Sequence, residues 1–321
     1  MRRLLLLATA WLAAAGLADG ASAQGHPVFL GQSRPLQERV ALADAIAVVD
    51  VVALQPGRLE AESRETLLGT LPRHITVKRT RSTPPPLVAG DRTLLLLRGA
   101  RAPFVLVDRP GETIRLTSEE ATVRWRDAVA GVIAARGDPK QLAALMLDWI
   151  DRGPPSLRDT GFASLQPLLA ASPALRRRVA LDRAEAAGDP ARGPEVRATS
   201  ALLAVSSPEG ADRLVAVLAG DAPLEQTALS LALRAGALKG HRELGRLFQR
   251  ALASDRAELR RLAVAQPAVV ARLGETVLKQ VERLAEEDPD PDVRRAATET
   301  VGRLHRSHSS SRKGAKRGQP T

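Results

Sequence analysis

The chain has 321 residues, 44% of them hydrophobic and 26% charged, with a formal net charge of +11, a balance that excludes a polytopic membrane bundle and a disordered polyampholyte alike. It contains no cysteine, which rules out disulfides, a thiolate nucleophile, cysteine-ligated metals and a lipid-modified amino-terminal cysteine. Lysine occurs only at Lys78, Lys140, Lys239, Lys279, Lys313 and Lys316, and this skew towards arginine reads as compositional bias rather than as a recognition device.

The first predicted element is an export signal. Arg2 and Arg3 precede an apolar run from Leu4 to Leu17, and Ala21-Ser22-Ala23 stands before Gln24. The run is too short to span a bilayer as a helix. Cleavage after Ala23 is expected, giving an exported, periplasmic or secreted protein with no transmembrane segment. From Pro35 to Ala43 the spacing of Leu36, Val40 and Ala43 predicts a short helix. Ala45 to Leu54 then reads as a strand too apolar for a surface position, and further strands are predicted at 73–80, 93–98, 103–107 and 113–117. Short strands with turn residues between them predict a small β-barrel over 28–117.

The order of a short helix, DAIAVVDVVAL, HITVKRT, GDRTLLLLRG and a last strand pair resembles the OB-like barrels of netrin-module and metalloprotease-inhibitor-like secreted domains. Those inhibitors act through an amino-terminal cysteine and a disulfide frame. Neither exists in this chain, so inhibition does not carry over. Barrels that bind single-stranded nucleic acid stack bases on aromatic side chains. Phe29 and Phe104 alone fill that class here, which leaves a binding or spacing module.

Connecting helices are expected over 118–172. Thr117 and Glu120 have capping-box spacing, and Val123, Val129, Val132 and Ile133 recur as one helical face. Leu142, Leu145, Met146, Trp149 and Ile150 make a second stripe. Leu157, Leu165, Leu168 and Leu169 begin a third, with Pro167 as a break. Trp125, Trp149 and Phe162 read as packing residues.

Beyond 173 the chain repeats. Asp189, Asp221, Asp255 and Asp288 each introduce a helical stretch at a period near 33, the mark of a solenoid. Second helices superimpose through Ala211, Leu244 and Val277, through Val215, Phe248 and Val281, and through Leu218, Ala251 and Leu284. First helices place a small residue four after an aliphatic one, as in Val196/Ser200, Leu224/Ala228, Leu259/Ala263 and Val293/Ala297. The segment DPDPDVRRAATETVGRL closely resembles a HEAT-type repeat of the short lyase-like variety, and PARGPEVRATSALLAV is a looser copy. The resemblance implies HEAT-like repeats over 173–304 and ion pairs of Asp288 with Arg294 and of Asp255 with Arg261. The repeat after Asp221 has Gln226 where that arginine belongs. A disordered basic tail is expected over 305–321, where Arg306, Arg312, Lys313, Lys316 and Arg317 meet no acid.

The fold class expected is therefore multidomain, a small OB-like β-barrel followed by an α-helical HEAT-like solenoid. Chemistry is harder to find. Asp288, Asp290, Asp292 and Glu299 have calcium-loop spacing, but Val293 stands where a glycine must turn the loop, and helix-capping acids explain the pattern. His26, His74, His241, His305 and His308 show no metal-ligand spacing, and no hydrolase or nucleotide fingerprint occurs. No catalytic residue, metal or cofactor is expected. One column stands out: Arg213, Arg246 and Lys279, spaced by 33 and lying beside the buried face of each second helix, with Arg250 and Arg283 one turn on. They predict a basic row that meets an anionic partner, against the ordinary reading of a solvated face. Two classes of function remain open: an exported, non-catalytic interaction scaffold binding a protein or anionic envelope polymer through its repeats, and an enzyme or enzyme-associated subunit of the lyase-type repeat family. Nucleic-acid binding through the tail conflicts with export and with scarce aromatics.

Overall fold

The computed structural model describes residues 34–78, 87–109 and 112–315, with side chains as far as Arg306. The expected signal at 1–23, His26, Phe29, the prolines Pro84–Pro86 and Lys316 onward lie outside the described residues, as do the side chains of His308, Arg312 and Lys313.

After α1 (Leu36–Leu42) come β1 (Ala45–Gln55), β2 (Arg58–Leu68), β3 (His74–Lys78), β4 (Arg92–Arg98), β5 (Phe104–Leu106) and β6 (Ile114–Arg115). Pairing in the order β1, β2, β3, β5, β4 and back to β1 closes an OB-like barrel, antiparallel except where β3 runs beside β5. β6 adds to β4 through Thr93/Arg115 and Leu94/Ile114. The sequence expectation placed a strand at 113–117 and none at 58–68, whereas β2 is a full member of the barrel. β2 escapes notice because only Leu59 and Ala61 are buried in it, between charged Arg58, Glu60 and Glu62. Its turn is explicit: Gln55 pairs with Arg58 across Pro56-Gly57, and Gly57 has φ of 80°, a conformation glycine adopts without steric cost.

β1 and β4 are buried on both sides. Ala45, Ala47, Val49, Val51, Leu95 and Leu97 face the barrel interior with Ile75, Val77 and Phe104. Ile46, Val48, Leu94 and Leu96 face outward into a second core made with α1 and the helices that follow. That is why these strands read as continuous apolar runs. Asp50 interrupts β1 at the rim, where its carboxylate accepts from Arg64 at 2.6 Å and Arg92 at 3.0 Å.

The covering helices are α2 (Glu119–Ala134), α3 (Pro139–Arg152) and α4 (Pro155–Ala171). The N-cap of α2 is Ser118, which accepts from the Ala121 N–H, and not Thr117, because Leu116 is still bonded to Arg92 in the sheet. The buried face of α2 runs through Trp125, Ala128, Val129 and Val132, leaving Val123 exposed. Pro167 breaks nothing: α4 continues through it to Ala171, since a proline in the last turns removes one ladder bond without displacing the buried Leu165 and Leu169.

The solenoid comprises α5 (Pro173–Gly188), α6 (Pro194–Ala204), α7 (Pro208–Ala219), α8 (Gln226–Lys239), α9 (Leu244–Leu252), α10 (Ala257–Val264), α11 (Pro267–Leu273), α12 (Glu275–Glu287) and α13 (Pro291–Ala315). First helices α6, α8, α10 and α13 stack in one layer, and α7 packs on α5 and α9 in the other. α11 is an extra short helix opened by Pro267 between α10 and α12. α13 extends past 304 to Ala315, into the stretch expected to be tail. Among the described residues no helix is long and apolar enough to cross a membrane.

Candidate functional site

The basic row depends on α7, α9 and α12. Ser207 caps α7 by accepting from the Gly210 N–H at 3.1 Å, with Pro208 preset in the first turn. The expected buried sets hold: Ala211, Leu244, Val277, Val215, Phe248, Val281, Leu218 and Ala251 are buried, and Leu284 is packed against the same core at partial exposure. One register therefore puts Arg213, Arg246 and Lys279 on the exposed flank of successive second helices.

Their partners differ. Arg213 pairs with Glu185 of α5, Lys279 with Glu275 at 3.0 Å, and Arg283 with Glu287 at 2.6 Å. Arg250 is half-buried and turned inward, where it donates to the main-chain oxygens of Leu218 and, at 2.9 Å, Ala222. Arg197 and Arg256 donate to Pro223 and Leu224 of the same turn, so three arginines hold the connection that lacks the expected repeat arginine. Arg246 is exposed and has no hydrogen-bond or ion-pair partner among the described residues. Burial lowers the Arg250 guanidinium, Asp221 opposes this, and the charge of Arg246 adds to the lowering. The two arginines are near enough to repel.

The Asp–Arg pairs run differently from the implied ones. Asp288 is buried and accepts a two-pronged contact from Arg260 of the preceding repeat, at 3.0 Å on each oxygen. Arg294 instead donates to the main-chain oxygens of Asp288 and Pro289, as Arg260 does to Ser254 and Asp255. The bond from Arg260 holds the Asp288 carboxyl below the usual aspartate range, against the effect of burial. Asp290 caps α13 by accepting from the N–H groups of Asp292 and Val293. These carboxylates are thus engaged in capping and cross-repeat pairing.

A second polar cluster was not anticipated. Arg34 and Arg39, beside and within α1, meet Asp108 and Glu112 from the segment between β5 and β6. Arg39 donates Nε to Asp108 at 2.9 Å and Nη2 to the Glu112 carbonyl at 2.8 Å; Arg34 reaches Glu112 at 3.0 Å and the Val107 carbonyl. Asp108 Oδ2 is buried without a hydrogen bond. Burial pushes the Asp108 carboxyl up to about 6, only partly offset by Arg39. Burial works on Glu112 in the same direction, but hydrogen bonds from Arg34 and the Arg109 N–H bring it below the usual glutamate range. The sole local clue is an arginine beside Val40 on the buried stripe of α1, since the partners lie about 70 residues away in sequence.

Comparison with known proteins gives no family. No protein-family description, curated protein or solved structure matches the chain.

Proposed function

We propose that the chain is an exported, non-catalytic interaction scaffold whose helical repeats bind an anionic partner, a protein or an envelope polymer. One observation carries the reading. Of the five cations in the row, Arg213, Lys279 and Arg283 face acids of this chain and Arg250 is held by carbonyls, while Arg246 stands exposed against a like charge. An incoming anion relieves that repulsion and meets a group needing no intramolecular bond broken. The contact surface therefore centres on α9. Export rests on the signal-like amino-terminal segment.

Salt-titrated binding of polyglutamate to the full chain tests this. Arg246→Glu is expected to weaken binding several-fold and reduce its salt dependence. Arg213→Gln with Lys279→Gln is expected to change it little, because those cations are already matched. Binding of equal strength and salt dependence in a folded Arg246→Glu variant would make the row an ordinary solvated face.

A further inference from the structure

Strand register sets a row of cations on the outer wall of the barrel. Arg58 of β2 lies opposite Lys78 of β3, Lys78 is paired with Val105 of β5, and Val105 with Arg98 of β4. Residues paired in this way point to the same side of a sheet, and the alternate set of Leu59, Val77, Phe104 and Leu97 is buried in the barrel interior. All four members of the row therefore face outward, and all four are exposed.

Most of this charge is unmatched. Arg58 meets Glu60 at 3.2 Å, but Lys78 and Arg98 have no hydrogen-bond or ion-pair partner among the described residues, nor has the exposed Arg101 in the turn from β4 to β5. Asp44, one residue ahead of the Ala45/Leu97 pair, accepts instead from the Gly99 N–H at 2.8 Å. Outside the described residues the chain holds one acid, Asp19, within the segment expected to be cleaved. Like charges directly opposite one another destabilise a sheet, so folding gains nothing from a lysine across from Arg58. Between the two unmatched cations stands Val105, 46% exposed on a strand of three residues whose other face is barrel core.

We propose that this row is a docking face for an extended acidic segment of another protein, one in which an apolar side chain is flanked by Asp or Glu at alternate positions. Neighbouring strands lie about 4.8 Å apart, which sets Lys78 and Arg98 about 10 Å from each other with Val105 midway. In an extended chain residues i−2, i and i+2 share a face and span about 13 Å. The central apolar side chain then covers Val105, and the long lysine and arginine side chains lean outward to the two carboxylates. A polysaccharide or a chain of phosphates would match the charge but leave Val105 bare. A valine in the middle of a wall, away from any loop tip, does not reach into a membrane. The row uses none of Arg213, Arg246 and Lys279, so it stands or falls separately from the α9 surface.

The probe is a dye-labelled peptide with glutamate, leucine and glutamate at alternate positions and serine between them, compared by fluorescence anisotropy on the full chain with a peptide carrying serine in place of the leucine. Saturable binding is expected, about five-fold tighter for the leucine peptide. Lys78→Glu combined with Arg98→Glu should weaken the leucine peptide by about ten-fold or more. Val105→Thr, which keeps the β-branched shape of the strand, should bring the two peptides to equal affinity, and Arg246→Glu should leave that affinity unchanged. Melting curves check that each variant is folded. Equal affinity of the two peptides for the wild type would overturn the proposal and make the row a charged face without sequence preference. Undiminished binding to the folded double variant would overturn it as well, and a loss that follows Arg246→Glu instead would move the contact to α9.

Discussion

Asp108 and Glu112 share a cluster yet respond to pH with opposite sign. An unfolded aspartate titrates near about 3.9, and the folded Asp108 carboxyl near about 6. Between those values the folded state binds more protons, so the stability contributed by Asp108 is present at the acid end and lost as pH rises through about 6. Glu112, held below the glutamate range, contributes stability above that range and loses it as pH falls. Asp108→Asn is therefore expected to flatten the profile of unfolding free energy between about pH 4 and 6; urea melts across that window check it, and an unchanged slope would assign the titration to another group. Arg39→Met leaves Asp108 without its arginine partner while Glu112 keeps Arg34, and loss of a buried partner costs about 3 to 5 kcal/mol. In the solenoid, Arg260→Ala strands the buried Asp288 in the same way. Its destabilisation should shrink on acidification, because the wild-type pair is itself lost once Asp288 is protonated.

At the scale of elements, α5 and α7 approach closely at Gly210. A Cβ on Gly210 would come within 2.6 Å of Ala180 Cβ and also collide with the Ala204 carbonyl, whereas one on Gly193 would meet nothing. Gly210→Ala is expected to cost about 1 to 3 kcal/mol and Gly193→Ala less than about 0.5 kcal/mol, compared as shifts in denaturant midpoint. Apart from α11, the helices of the solenoid were legible because they carry their own buried stripes, as with Val215 and Leu218 or Ala228 and Leu233. β1 and β4 were legible by two-sided burial. β2 was not, since it buries only Leu59 and Ala61 and is held on both edges by pairing with β1 and β3. The Pro56-Gly57 turn was the signal available. The Arg260–Asp288 pair was hidden because a one-residue change in which arginine reaches back cannot be read from spacing when Arg260 and Arg261 are adjacent. The column Arg213, Arg246 and Lys279 was legible as a row, but the acids that match two of its members lie on α5 and one turn away on α12.

For the whole molecule, deletion of 307–321 is expected to leave the melting temperature unchanged, since HRSHSSSRKGAKRGQPT beyond Arg306 offers no apolar residue larger than Ala315 or Pro320 to dock; a lowered transition would give the end of α13 a structural role. Intact-mass measurement of exported protein should find an amino terminus at Gln24. The strand pair β1 and β4 gives the molecule a property that neither half has alone. Because Ile46, Val48, Leu94 and Leu96 are the barrel's outer wall and the helices' inner one, a cut near 117 would not release a soluble barrel. It would bare an apolar sheet face of the kind that sticks to its like, so the barrel and the first helices are expected to melt together, as one piece of masonry carrying rooms on either side.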